Sequence, residues 1–258
     1  MYDPGSPLLR SSTPSKNLPE PPARARFAED RLLAAVVSCD VAPGETVTEA
    51  IVMERFGLKR AAARAALARL GYDGWARPLA RTGWEVLPVT GSLIGQVLEA
   101  RRVAEPAALS RITPDLARSE RLETLGNMTD ALCRQADPAA RATLDRTLAD
   151  IDTLLLEATE SFTARHLRLL WQHTARIARH LAVEDAIAAV RRAQAPAFVA
   201  ALLAGDGAAV ASARLALIDM QQELFLREIL QNEAALGPGS GSRRHQTTRT
   251  AAHNGRTI

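Results

Sequence analysis

Arg60 and Arg64 stand four residues apart in "GLKRAAARAALARLGYDGW", residues 57–75, so a helix would project both from one face. Guanidinium groups placed this way suit bidentate acceptors such as phosphates and base edges. Ala61, Ala62, Ala63 and Ala65 keep the surface around them low, which a helix needs if its arginines are to reach into a major groove. Lys59 at the helix start adds a phosphate contact beside the partial positive charge of the helix N-terminus. The competing reading is an alanine-rich surface helix with solvated arginines.

The elements that would position this helix favour the first reading. Leu32, Leu33, Val36 and Val37 form an apolar stripe that predicts a helix from about Ala28, ended by the Pro43-Gly44 turn. Thr48 can cap a second helix over 49–55, closed by Gly57. The arginine helix follows over 59–70, with Leu67 and Leu70 inward and Gly71 as its stop. "GWARPLARTGWEVLPV" then alternates apolar and polar residues around Arg81, Thr82 and Gly83, predicting a hairpin. Three short helices and a hairpin make a winged helix-turn-helix, assigned to 24–90, with Arg81, Thr82 and Gly83 in the wing against DNA backbone or minor groove.

Beyond Ser92 the pattern becomes purely helical, with segments near 92–110, 114–135, 139–160, 163–181, 183–204 and 207–231. Leu144, Leu148, Ile151 and Leu155 keep helical spacing, as do Leu167, Leu170, Trp171, Thr174 and Ile177. The fold class expected is mainly α, an N-terminal winged helix-turn-helix followed by an all-helical bundle over 91–235. Residues 1–23 read as a flexible arm. Residues 236–258 read as a disordered basic tail, with Arg243, Arg244, Arg249 and Arg256 and no acid.

Composition narrows the function classes. A net charge of +3 is too small to identify a polyanion partner by itself, so the placement of the charges carries the inference. Cys39 and Cys133 form no CxxC or disulfide framework, which points to a reducing cytoplasm. No apolar run is expected to span a bilayer, and the first residues lack the apolar core of a signal peptide. Neither a nucleophile constellation nor a phosphate-binding glycine loop is apparent, so the protein is read as no enzyme and without a cofactor.

The run "APGETVTEAIVMERFGLKRAAARAALARLGYDGWARPLARTGWEV" resembles the winged helix-turn-helix of GntR-family transcription regulators. Arg60, Arg64, Ala66, Leu67, Leu70, Gly74 and Gly83 sit at matching positions, while Lys59, Ala61, Ala62 and Ala65 replace the family's Ser, Thr, Pro and Glu. Downstream, "LEARRVAEPAALSR", "LLLEATES" and "ALLAGD" resemble the FadR-type branch with its effector-binding FCD domain. The likeness spans residues 28–232 and implies a dimeric regulator, taken as a repressor, that reads a pseudo-palindromic operator and responds to a small acidic or acyl-type effector. Many members hold a divalent metal through Asp-x-x-x-His and two later histidines. Alignment puts Leu148, Asp152, Ala195 and Leu217 at those positions, so no metal is expected. His166, His173 and His180 cannot share one ion from a single helix and read as solvated or core-edge residues.

Arg101 is the first choice to face an anionic effector, although Glu105 one turn later can simply pair with it. Asp152, Arg176 and Arg179 are further candidates. The rival reading is a helical small-molecule-binding or catalytic protein whose N-terminal module serves protein interaction.

Overall fold

The computed structural model describes residues 21–80 and 82–231. The arm as far as residue 20, Arg81 and the basic tail lie outside the described residues. The described chain separates into two compact units. The smaller takes the chain up to Ala34 together with Thr46–Glu85, and the larger takes Ala35–Glu45 with everything from Val86 on.

The smaller unit holds most of α1 (Pro21–Val37), then β1 (Thr46–Val47), α2 (Glu49–Phe56), α3 (Arg60–Tyr72), β2 (Ala76–Leu79) and β3 (Gly83–Val86). Helix α1 begins at Pro21, earlier than the expected Ala28, because prolines in a first turn give up only N–H groups that have no helical acceptor. Thr48 caps α2 by accepting from the Ile51 amide at 3.2 Å, and Gly57 closes it in the left-handed region at φ 64°. On α3, Ala63, Ala66, Leu67 and Leu70 are buried and fix which face turns inward.

Gly71 does not stop α3; the helix runs through it to Tyr72. A Cβ at Gly71 would come 2.2 Å from Cζ3 of Trp84, so the glycine makes room for the indole of β3. The hairpin forms as expected but gains a third strand, with sheet order β1-β3-β2. Thr46 pairs with Glu85 and Val47 with Trp84, antiparallel. A two-residue strand has no periodicity of its own, which is why β1 escapes a sequence reading.

The larger unit is a bundle of α4 (Gly91–Leu116), α5 (Glu120–Cys133), α6 (Pro138–Ala158), α7 (Ser161–His180), α8 (Glu184–Leu203) and α9 (Gly207–Gln231). Thr90, Ser119 and Asp137 cap α4, α5 and α6 by accepting from Leu93, Leu122 and Ala140 amides. Pro114 does not break α4 as expected, because it falls in the last turn, where it strips a partner only from the Ser110 carbonyl. Gly207 packs directly on that carbonyl; a Cβ there would lie 2.5 Å from the oxygen.

Among the described residues, apolar clusters fill the bundle. One joins Leu109, Leu122, Leu144, Leu148, Ile151, Leu155, Val199 and Leu202; another joins Val97, Leu98, Leu170, Ile177, Ile218 and Phe225. Helix α8 is long and apolar enough by composition to cross a membrane, contrary to the sequence expectation. Its alanines account for that hydropathy. In this fold Ile187, Ala195, Val199 and Leu202 are buried, and Arg191 and Arg192 pair with Asp152 and Asp145 of α6.

Candidate nucleic-acid interface and ligand cavity

Lys59, Arg60 and Arg64 are all exposed at the start of α3 and along its outer face. Lys59 occupies the N-cap position without a side-chain hydrogen bond to the helix, so the first-turn amides are left for solvent or a phosphate. Ala61 and Ala68 are exposed and Ala62 and Ala65 half-buried, which gives the arginines low walls. Ala63, placed by the sequence on that bare side, is instead fully buried, since it lies one turn before Leu67 on the inward stripe.

Arg64 does not extend freely. Its Nε donates to Glu49 Oε1 at 2.7 Å and its Nη2 to Glu49 Oε2 at 3.2 Å. This hydrogen-bonded guanidinium holds the Glu49 carboxyl below its ordinary range. Further along α3, Arg69 pairs with Asp73 at 2.7 Å and lies over the ring of Tyr72, which is 79% exposed. In the wing, Thr82 is exposed, and Gly83 at φ 114° lies so close to β1 that a Cβ would come 2.5 Å from the Val47 carbonyl oxygen. Gly83 is therefore demanded by the strand pairing. Arg81 lies outside the described residues. Glu49, Arg69 and Tyr72 went unnoticed in the sequence; Glu49 meets Arg64 only when α2 and α3 pack, whereas the contacts of Arg69 with Tyr72 and Asp73 lie within three and four residues.

Within the bundle a cavity of about 130 Å³ is lined by Arg101, Asp152, Trp171, Arg191, Arg214 and Gln221 among others. It adjoins an apolar recess of about 30 Å³ bordered by Leu148, Ala195 and Phe198, with Arg191, Arg214 and Leu217 common to both. Arg191 donates to Asp152 at 2.6 Å, and Arg214 donates to the other Asp152 oxygen at 2.6 Å. Arg214 Nη1 lies 3.6 Å from Glu105 Oε1, and Glu105 accepts from Arg101 Nε at 2.8 Å. Arg101 also donates to Thr174 at 3.3 Å and to Gln221. The result is an unbroken chain of alternating charge, Arg191–Asp152–Arg214–Glu105–Arg101, with three cations and two anions.

Burial by itself would raise the Asp152 pKa, but Arg214 and Arg191 outweigh it and the carboxyl titrates below 3.8. The Arg214 guanidinium stacks 4.5 Å from the Phe198 ring centre and 5.4 Å from that of Trp171. Arg214 Nε and Trp171 Nε1 are buried donors with no hydrogen-bond acceptor among the described residues.

Of the four residues that the sequence suggested here, the cavity brings together Arg101 and Asp152. Arg176 is fully buried elsewhere, donating to the Leu87 carbonyl, with burial pushing its pKa down to about 10. Arg179 pairs with Glu184 at 3.4 Å on the surface. Glu105 pairs with Arg101, as the sequence allowed, whereas Arg191 and Arg214 were missed. A signal existed for Arg214, which interrupts the buried stripe Val210, Leu217, Gln221 at helical spacing.

The four positions where the FCD resemblance would place metal ligands do converge on this cavity and its recess. They do not fit a metal. Only Asp152 offers a ligand atom, both its oxygens are engaged by guanidinium groups, and the surplus positive charge repels a cation. Among the described residues no three His, Cys, Asp or Glu side chains converge elsewhere. His166 is exposed, His173 buried and His180 half-buried.

Solved structures share this winged helix-turn-helix and all-helical bundle. E. coli McbR/YncC matches with a TM-score of 0.63 at 16% identity, over 80% of this chain and 98% of that one. A structural-genomics GntR transcriptional regulator from Rhodococcus sp. RHA1 matches with a TM-score of 0.60 at 19% identity, over 78% and 97%. At such identities the likeness is one of fold. No family model matches the sequence, and no curated protein does.

Proposed function

We propose that this chain is a cytoplasmic, DNA-binding transcriptional regulator of the GntR type, in the FadR-like branch with an FCD-like bundle. It acts as a dimer on a pseudo-palindromic operator, most simply as a repressor. The domains are the winged helix-turn-helix of 24–90 and the effector-binding and dimerisation bundle of 91–235. One observation carries the reading: Lys59, Arg60 and Arg64 are exposed together on a helix walled by alanine, whose N-cap residue Lys59 leaves its side chain free of the helix. Similarity in fold to solved transcriptional regulators supports it.

The test is selection of genomic fragments that the purified protein retains, followed by affinity measurements at fixed salt. Replacing Arg60 and Arg64 together by alanine is expected to weaken operator binding by at least about tenfold and to flatten its salt dependence. Unchanged affinity would refute the interface. A protein that retains no duplex at all would favour the rival reading of a protein-interaction module.

The bundle cavity supports an effector of defined charge. Three guanidinium groups against two carboxylates leave one positive charge in a largely buried setting, which a single anionic group neutralises. The cavity volume of about 130 Å³ approaches the ~150 Å³ that holds a benzene-sized molecule, and the recess accepts an apolar extension. The effector is therefore a compact monocarboxylate bound without metal. By favouring one arrangement of the protein over another, it would shift DNA affinity. In a chelating buffer, a panel of short aliphatic and aromatic carboxylates should contain members that raise the melting temperature, while their neutral amides do not. Equal shifts by acid and amide would exclude the charge argument.

A further inference from the structure

Glu49 is the first residue of α2, and its carboxylate faces across the helix-turn-helix to the outer side of α3. It takes the Nε and one Nη2 proton of Arg64 as a bidentate pair, at 2.7 and 3.2 Å. The arginine keeps its far edge, Nη1 with the second Nη2 proton, and its side chain remains 69% exposed. That edge is a two-donor fork whose direction is set by the carboxylate behind it.

Two opposing considerations decide what such a pair is for. A carboxylate beside a DNA-facing helix repels phosphates, so it weakens any surface that works by charge alone. A free arginine samples many rotamers, and ordering it for a planar acceptor costs conformational entropy that a buttressed one has already lost. A residue that lowers general attraction while fixing one fork is suited to selectivity. The acceptor matched to a fork of two parallel N–H groups in the major groove is the O6/N7 edge of guanine. A phosphate can also accept such a fork but carries no sequence information, so fixing the fork at the expense of general attraction serves a base edge.

We propose that Glu49 is a specificity-determining positioning residue, holding Arg64 as the reader of one guanine in each half-site. The inference rests on the reading above that α3 enters the major groove, and it alters one part of it: Arg64 reads a base, while Lys59 and the helix start contact phosphate.

The test compares wild type with Glu49→Asp, Glu49→Ala and Arg64→Lys in selection from random duplexes, then measures affinity for the selected site and for random-sequence duplex at one salt concentration. Aspartate keeps the charge and the place at the helix start but is too short to hold the fork, and lysine keeps the phosphate attraction but has no fork. The wild type should require one G·C pair per half-site. Each variant should lose that preference by about ten- to a hundredfold. Glu49→Ala should bind random duplex as well as wild type or better, because a negative charge has gone. Melting temperatures check that the variants fold, and Glu49→Asp remains informative if the alanine variant does not. Retention of the guanine preference in Glu49→Asp and Glu49→Ala overturns the proposal, as does an equal loss of specific and random-duplex affinity, the mark of a structural role. If wild type binds no duplex, the regulator reading fails first and this inference with it, before any variant is measured.

Discussion

Replacing Asp152 by alanine is expected to destabilise the fold by about 3 kcal/mol, toward the low end of what breaking a buried ion pair costs. Asp152 satisfies two guanidinium groups at once, Arg191 and Arg214, each at 2.6 Å. Their situations differ. The Arg191 side chain is 29% exposed and can turn to water, whereas that of Arg214 is 6% exposed, stacked between Phe198 and Trp171, and cannot. Without Asp152, Arg214 retains among the described carboxylates only Glu105 at 3.6 Å, already engaged by Arg101. The Asp152 side chain is itself 21% exposed, which is why the low end applies. A urea midpoint shift at pH 7 with unchanged slope measures the effect. Replacing Asp152 by leucine and Arg214 by methionine together should recover most of the loss, since the stranded charge disappears with its partner. A loss below about 1 kcal/mol for the single variant would mean that the charge chain is not energetically coupled.

Stability should also fall as the pH drops from 6.5 to about 4, and His173 sets that window. Its imidazole is 7% exposed on α7; burial first, and the charge of Arg176 second, lower its pKa from 6.5 to about 4. A histidine whose folded pKa is depressed contributes stability in full above the unfolded value, and that contribution is lost as the pH falls through the folded value. In the interval the unfolded chain takes up a proton that the folded chain refuses. A displacement of this size corresponds to about 3 kcal/mol. His173→Gln, which stays neutral throughout, should show a correspondingly flatter stability profile between pH 7 and 4. Parallel profiles for variant and wild type would place the acid sensitivity elsewhere. Asp152 acts lower on the scale: its depressed carboxyl pKa contributes stability that is present above 3.8 and lost only below it.

These two effects come from groups that the sequence makes visible but does not evaluate. His173 is plain as one of three histidines at intervals of seven, yet the spacing is silent on which of them is buried. Asp152 stands out because the FCD resemblance carries it to a ligand position, but its partners lie 39 and 62 residues away along the chain. Arg176 shows the converse. It shares a helix with Thr174, which lines the cavity, but projects from a different side and meets the Leu87 carbonyl instead.

Local signals sufficed for much of the architecture. Apolar spacing near 3.6 defines the bundle helices, Thr48 and Gly57 delimit α2, and the alternation around residues 81–83 yields the wing, because each of these depends on neighbours within a turn or a strand. The exposed Lys59, Arg60 and Arg64 were legible for the same reason. Tertiary packing decided the rest. Gly71 is a seat for Trp84 and no helix stop, Pro114 is absorbed into a last turn, and β1 exists only because β3 lies beside it. It also decided that Glu49 grips Arg64 and that Arg191 and Arg214 share Asp152. Charge pairs made across long stretches of chain leave no periodic trace in the sequence, since their energy depends on distance and burial that only the folded packing supplies.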